Sequence, residues 1–227
     1  MFKSKKTAGL FLTIGITFFM AGCFPDTPVV PAPTATITPV PTMAQEEEIL
    51  IGPTKEEVLI MRETVLEGMD QNAIDRLTEN IKIANLTMEE AYLYDDLFGK
   101  LEDKEHLYWN YFDEKEEIQI GVKEDGMPIT TYNRFDADNF IDLMSEMKES
   151  VHHEGLRNDL QYIIDETRLA KETHEVEHAN NIYKALHDMD YFLLRYGLED
   201  VGQYVKDKAV LAKYYGVLSV YQDIENP

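Results

Sequence analysis

LRNDLQYIIDETRLAKETHEVEHANNIYKALHDMDYFLLRY, running from Leu156 to Tyr196, is the stretch whose reading decides the fold. Apolar residues recur at Leu160, Ile163 and Ile164, stop, and resume at Ile182, Ala185, Leu186, Met189, Phe192, Leu193 and Tyr196, which is helical spacing. Carried through the gap, the same spacing lands on Thr167, Ala170, His174, His178 and Asn181. The run therefore predicts one long helix over about 156–196, with a polar middle on the stripe that should face the core. That middle is either wet, a polar layer bonded across a bundle, or a site.

Working outward, the preceding segments also read as helices. Pro53-Thr54 opens a run with Val58, Leu59, Val65, Leu66 and Met69, and Asn72 caps a second with Ile74, Leu77, Ile81 and Ala84. Thr87 with Glu90 three residues on has the form of a capping box opening a third, through Leu97, Phe98 and Leu101. Whether the second and third runs are continuous stays open at this level. Tyr108, Trp109, Tyr111 and Phe112 form an aromatic cluster, read as core, with sugar stacking as the competing reading. Ile118, Ile120 and Val122 alternate with polar residues, Asp125-Gly126 supplies a turn, and Ile129, Thr131 and Tyr132 follow, which predicts a β-hairpin over about 117–132. Asp136 or Asp138 caps a helix carrying Phe140, Leu143, Met144, Met147 and Val151, His153-Glu154-Gly155 separates it from the long run, and Gly197 ends that run. Val201 to Leu218 supplies a last helix or two. The fold class expected is mainly α, a helical bundle with a small hairpin insertion.

The chain has 227 residues, 44% of them hydrophobic, enough for one core but hardly two. Its formal charge is −22. Such a surface repels phosphate backbones and anionic headgroups, which argues against nucleic acid as a partner and against electrostatic docking to lipid. The single cysteine, Cys23, excludes an intrachain disulfide.

The position of Cys23 gives it a different meaning. Lys3, Lys5 and Lys6 precede an apolar run from about Ala8 to Met20, closed by Ala21-Gly22-Cys23. This has the layout of a signal peptide, and its apolar run is shorter than the roughly 20 residues a bilayer-spanning helix needs. Met20-Ala21-Gly22-Cys23 resembles the lipobox of bacterial lipoproteins. That resemblance implies removal of residues 1–22, lipidation of the Cys23 thiol, and a mature chain anchored by diacylglycerol and palmitate to the extracytoplasmic face of the bacterial cell membrane. Residues 23–45 then form a Pro/Thr-rich linker, with prolines at 25, 28, 31, 33, 39 and 41. At polyproline spacing such a tether spans up to about 60 Å. Residues 46–227 are the expected helical domain.

Two patterns carry possible chemistry. His174-Glu175-Val176-Glu177-His178 matches H-E-x-x-H and is similar to the zincin metalloproteases, which implies His174 and His178 as zinc ligands and Glu175 as the catalytic base on the metal-bound water. Asn181 and Lys184 stand where the metzincin continuation has glycine and a third histidine. Glu149-x-x-His152 and Glu175-x-x-His178 resemble the paired ligands of ferritin-like di-metal bundles. His187, Asp188 and Asp190 read as surface residues. The function expected is a lipid-anchored extracytoplasmic binding or interaction module, with a protein or cell-wall component as partner and no resident cofactor. A metal-dependent hydrolase using His174, Glu175 and His178 is the alternative.

Overall fold

The computed structural model describes residues 51–93, 97–114, 116–133, 135–196, 209 and 212–222. Cys23, the Pro/Thr-rich stretch and Gly197 lie outside these residues, as does most of the expected closing helix. The described chain is mainly helical with one two-stranded antiparallel hairpin, as the periodicity requires.

Helix α1 (Lys55–Val65) starts where Thr54 and Glu57 form a reciprocal capping box, and buries Val58, Met61 and Val65. Asp70 opens α2 (Gln71–Leu93) by accepting from the Ala73 N–H at 3.0 Å, in place of the expected Asn72. There is no second start at Thr87. Its hydroxyl donates to the Ile83 carbonyl at 2.9 Å, one turn back, so the side chain is satisfied within a continuous helix. The buried stripe of α2 runs Ala73, Leu77, Ile81, Asn85, Glu89 in steps of four, so its last two members are polar.

Helix α3 (Leu97–Leu101) leads to a 3-10 turn over Leu107–Trp109 and the short α4 (Asn110–Asp113). Strands β1 (Glu117–Val122) and β2 (Pro128–Tyr132) pair with an irregularity between Gln119 and Gly121. Their turn needs Gly126, whose φ is +84°, while the Asp125 carboxylate accepts from the Met127 N–H. The hairpin is tied to the helices by buried Ile118 and by Asn110 Nδ2, which donates to the Gln119 carbonyl at 2.8 Å.

Asp136 caps α5 (Ala137–Ser150), which buries Phe140, Met144 and Met147. The following α6 (Glu154–Thr173) starts within the expected His153-Glu154-Gly155 break: His153 caps it, and Glu154 and Gly155 already lie in its first turn. A Cβ there would stand 3.1 Å from Val220 Cγ1, and the glycine admits the C-terminal segment to this close approach. Leu77, Ile81, Met144, Leu156, Leu160, Ile163, Leu186 and Leu193 form the centre of the core.

The long run is divided, which corrects the expectation of one helix over 156–196. α6 ends at Thr173, α7 spans Val176–Met189, and a π-helical turn covers Asp190–Leu194. At the break His174 takes the left-handed conformation, φ 51° and ψ 43°. For a non-glycine residue this costs on the order of 1–2 kcal/mol. Specific contacts offset it. The imidazole stacks on Trp109 with centroids 4.8 Å apart and 11° between planes, Nδ1 lies 3.1 Å from the Lys104 carbonyl, and Nε2 lies 3.1 Å from the Asp113 carboxylate. Helical periodicity continues on either side because α7 packs its own apolar stripe against the same core. Sequence spacing alone does not register a two-residue break.

Candidate functional site

The aromatic cluster after α3 has two faces. Trp109 and Phe112, three apart, are buried, and the Trp109 indole N–H donates to the Asp103 carbonyl at 3.1 Å. Tyr108 and Tyr111, also three apart, are half-buried and meet edge to face at 5.8 Å. They form one wall of a cleft of about 460 Å³. Thr87, Met88, Glu90 and Ala91 of α2, Leu97 and Lys100 of α3, Phe112, Phe135, and Ile120 and Thr131 of the hairpin complete it. The size and the mixture of apolar wall with a few polar groups are those of small-ligand sites. The hairpin contributes a wall through Ile120 and Thr131. Alternating 108/111 and 109/112 pairs were the available sequence signal: two faces of one helical turn, only one of which can be core.

Among the described residues, Lys100 is the cation that lines the cleft. Its ammonium lies 4.6 Å from the Tyr108 ring centroid and 3.3 Å from the Tyr108 hydroxyl.

His174, Glu175 and His178 are placed differently from the zincin arrangement. The motif presumes two histidines one turn apart on one helix. Here His174 caps the end of α6 in the left-handed conformation, Glu175 is extended, and His178 is in the first turn of α7. His174 engages Trp109, Asp113 and Lys104, and Glu175 pairs with Lys104 at 2.8 Å. The Lys104 ammonium holds the Glu175 carboxyl below its usual range. His178 Nδ1 lies 2.8 Å from Glu166, which also accepts from Asn181 Nδ2 at 3.1 Å. The polar middle of the long run thus faces protein, as a layer joining α6 to α7 through a glutamate that periodicity does not single out. Glu149 sits on α5, while His152 lies beyond the end of that helix, so the paired E-x-x-H arrangement is not presented by two helices. Among the described residues no group of three or more His, Cys, Asp or Glu is arranged to hold a metal ion.

A second polar centre lies deep in the core, and it corrects the reading of His187, Asp188 and Asp190 as surface residues. All three are fully buried. Asp190 accepts from Arg195 Nε and Nη2 at 2.5 Å each and from Asn85 Nδ2 at 2.9 Å. The π turn makes the Arg195 pairing possible. With 3.6 residues per turn, residues five apart would diverge by about 140° around an α-helix. Here the Arg195 N–H bonds to the Asp190 carbonyl at 2.9 Å, the i to i+5 bond of a wider turn, and returns the guanidinium to the carboxylate. Asp188 accepts from the backbone N–H groups of Tyr215 and Val217 at 3.0 and 3.1 Å. His187 is enclosed by Tyr183, Tyr191, Phe192 and Tyr215.

Tyr191 donates to Glu89 Oε2 at 2.8 Å, while Glu89 Oε1 and Asn85 Oδ1 have no hydrogen-bond partner among the described residues. Burial pushes the Glu89 carboxyl above its usual range, opposed by the Tyr191 hydrogen bond, and burial raises the Tyr191 phenol further. A carboxyl whose pKa is raised by folding opposes folding when ionised, and this cost fades as pH falls through the folded value toward the unfolded one. Glu89→Gln keeps an acceptor for Tyr191 and removes the charge. Its melting temperature should exceed that of the parent at pH 8, by the equivalent of about 1 kcal/mol, and the two should converge near pH 4.5. A constant difference across that range in thermal melts would show that the Glu89 charge is not what burial penalises.

No family model matches this chain, and neither a curated protein nor a solved structure matches it.

Proposed function

We propose that the chain is a lipid-anchored extracytoplasmic binding module, tethered at Cys23, whose helical domain takes a small ligand in the cleft between α2, α3, the aromatic turn and the hairpin. The observation that carries this reading is the cleft itself: about 460 Å³, walled by two half-buried tyrosines and an apolar floor, with Lys100 set into its side. The cluster His174, Glu175 and His178 supports a joint between α6 and α7 better than a hydrolytic centre, because both histidines and the glutamate are engaged with protein partners.

The anchor and the cleft are tested separately. Labelled palmitate should be incorporated into the full chain in bacterial cells and lost in Cys23→Ala, with release of the protein from the membrane fraction; membrane retention of the unlabelled variant would overturn the anchor. For the cleft, a panel of small apolar and amphiphilic solutes is screened by thermal shift on the full chain. A solute at 100 times its Kd stabilises by about 2.7 kcal/mol. At this chain length that raises Tm by roughly 5–10 °C. Ala91→Phe, which fills the cleft from α2, should abolish the shift. A shift that survives this substitution would place binding elsewhere.

A further inference from the structure

We propose that Glu89 is a proton-binding site inside the domain: its carboxyl is held as the neutral acid, with the proton on Oε1 given to Asn85 Oδ1, and release of that proton to solvent loosens the π turn over Asp190–Leu194. A pair of orphaned acceptors carries this inference. Asn85 and Glu89 stand one turn apart on the buried stripe of α2, 0% and 3% exposed, and residues four apart on a helix are neighbours on one face. Each has one polar atom engaged. Asn85 Nδ2 donates to Asp190 Oδ2 at 2.9 Å, and Glu89 Oε2 accepts from the Tyr191 hydroxyl at 2.8 Å. The other two atoms, Asn85 Oδ1 and Glu89 Oε1, have no hydrogen-bond partner among the described residues. Turning the Asn85 amide over gives no remedy, because its oxygen would then meet the Asp190 carboxylate.

One proton satisfies both orphans. An ionised carboxylate only accepts, whereas the neutral acid has an O–H to donate. With the proton on Oε1, Glu89 donates to Asn85 Oδ1 and keeps Oε2 as the carbonyl oxygen that accepts from Tyr191. The alternative, a buried charge with one phenol as its donor, is strongly disfavoured. The titratable and charged groups that act on Glu89 are His187, Asp190 and Tyr191 on α7 and its π turn, and Arg195 directly after it. Burial and the Asp190 charge favour the neutral acid; the Tyr191 hydrogen bond, His187 and Arg195 pull the other way, and burial is the largest of these influences. Loss of the proton leaves two buried acceptors without a donor. It also sets a second carboxylate against Asp190 and in competition for Arg195. The Asp190–Arg195 pair closes the π turn, whose bond runs from the Arg195 N–H to the Asp190 carbonyl at 2.9 Å. A carboxyl that holds its proton more tightly when folded lends stability that declines as pH rises from the unfolded value through the folded one.

The full chain in detergent micelles is compared with Glu89→Gln by infrared spectroscopy and amide exchange from about pH 5 to about pH 9. The glutamine amide donates to Asn85 and accepts from Tyr191 as the neutral acid does. The expected result is a carboxylic-acid C=O band present in the parent and absent from the variant. The band should fade as pH rises, with a midpoint about one pH unit or more above an ordinary glutamate, which is about tenfold tighter proton binding or better. Across that midpoint, exchange of the Arg195 amide in the parent relative to Glu89→Gln at the same pH should accelerate several-fold, and more than exchange at Leu160. Asn85→Leu should shift the band, because the O–H loses its acceptor. No acid band, or a midpoint in the ordinary range, overturns the proton site. A band with the expected midpoint and a flat exchange ratio at Arg195 overturns the coupling to the π turn, and an unshifted band in folded Asn85→Leu overturns Asn85 as the acceptor.

Discussion

Arg195→Ala is expected to destabilise the domain by about 3–5 kcal/mol, the cost of leaving one member of a buried ion pair alone. Asp190 is fully buried, and apart from Asn85 its carboxylate has Arg195 as its charged partner among the described residues. Arg195 also stands 5.7 Å from the Tyr191 ring centroid, a contact that is lost at the same time. For a chain of this length the loss corresponds to a fall in Tm of roughly 10 °C or more. Adding Asp190→Asn to the Arg195→Ala background should recover part of it, because the amide keeps polar contacts without the buried charge. Chemical denaturation of the two single variants and the double variant measures the coupling. A cost below about 1 kcal/mol for Arg195→Ala would mean that the pair is as weakly coupled as an exposed one.

Asp188→Ala is expected to be comparably severe, for a different reason. Its two carboxylate oxygens accept from the backbone of Tyr215 and Val217, and Asp159 on α6 accepts from Ser219 and Val220 in the same manner, at 2.6 and 3.4 Å. Two buried aspartates thus pin residues 215–220 to α7 and α6. Hydrogen bonds to charged groups contribute about 1.5–3 kcal/mol each, so removing one aspartate should cost about 3 kcal/mol. It should also release the segment locally. Amide exchange at Tyr215 and Val217 should accelerate in Asp188→Ala more than at Leu160 or Ile163 in the core. Uniform acceleration would indicate that the segment unfolds only with the whole domain. Tyr214 and Tyr221 lie in the same region, and burial raises both phenols, Tyr214 to about 12, consistent with a docked segment shielded from solvent.

Covering the cleft would act at a third place, independent of both. Tyr108, Tyr111 and Phe112 line the cleft, and neither aspartate contributes to its walls. Ligand binding and core stability should therefore separate in the variants: Ala91→Phe should leave the Asp190 and Asp188 centres intact.

Much of the architecture was legible in the residues. Steps of three and four in the apolar residues gave the helices, and alternation with Asp125-Gly126 gave the hairpin. Thr54, and Asp136 as one of two candidates, stood at two of the helix starts, because a cap is a local event, closed here with residues three positions on. The lipobox pattern at Cys23 is local in the same sense, and the expectation built on it comes from the sequence alone.

What the tertiary structure decided is the fate of the polar residues on buried stripes. His187, Asp188 and Asp190 look like solvent-facing residues until their partners are known, and those partners are remote: Asn85 is 105 positions from Asp190, and Glu89 is 102 from Tyr191. A buried charge is tolerable only when it is paired and hydrogen-bonded, and pairing across such separations leaves no periodic trace. The same holds for the His174 to His178 stretch. Its composition matches a catalytic motif, but the stacking of His174 on Trp109 and the bond of His178 to Glu166 turn it into the joint between α6 and α7. Sequence determined that a long amphipathic run exists; contacts of His174 with the aromatic turn, remote in sequence, determined where it breaks.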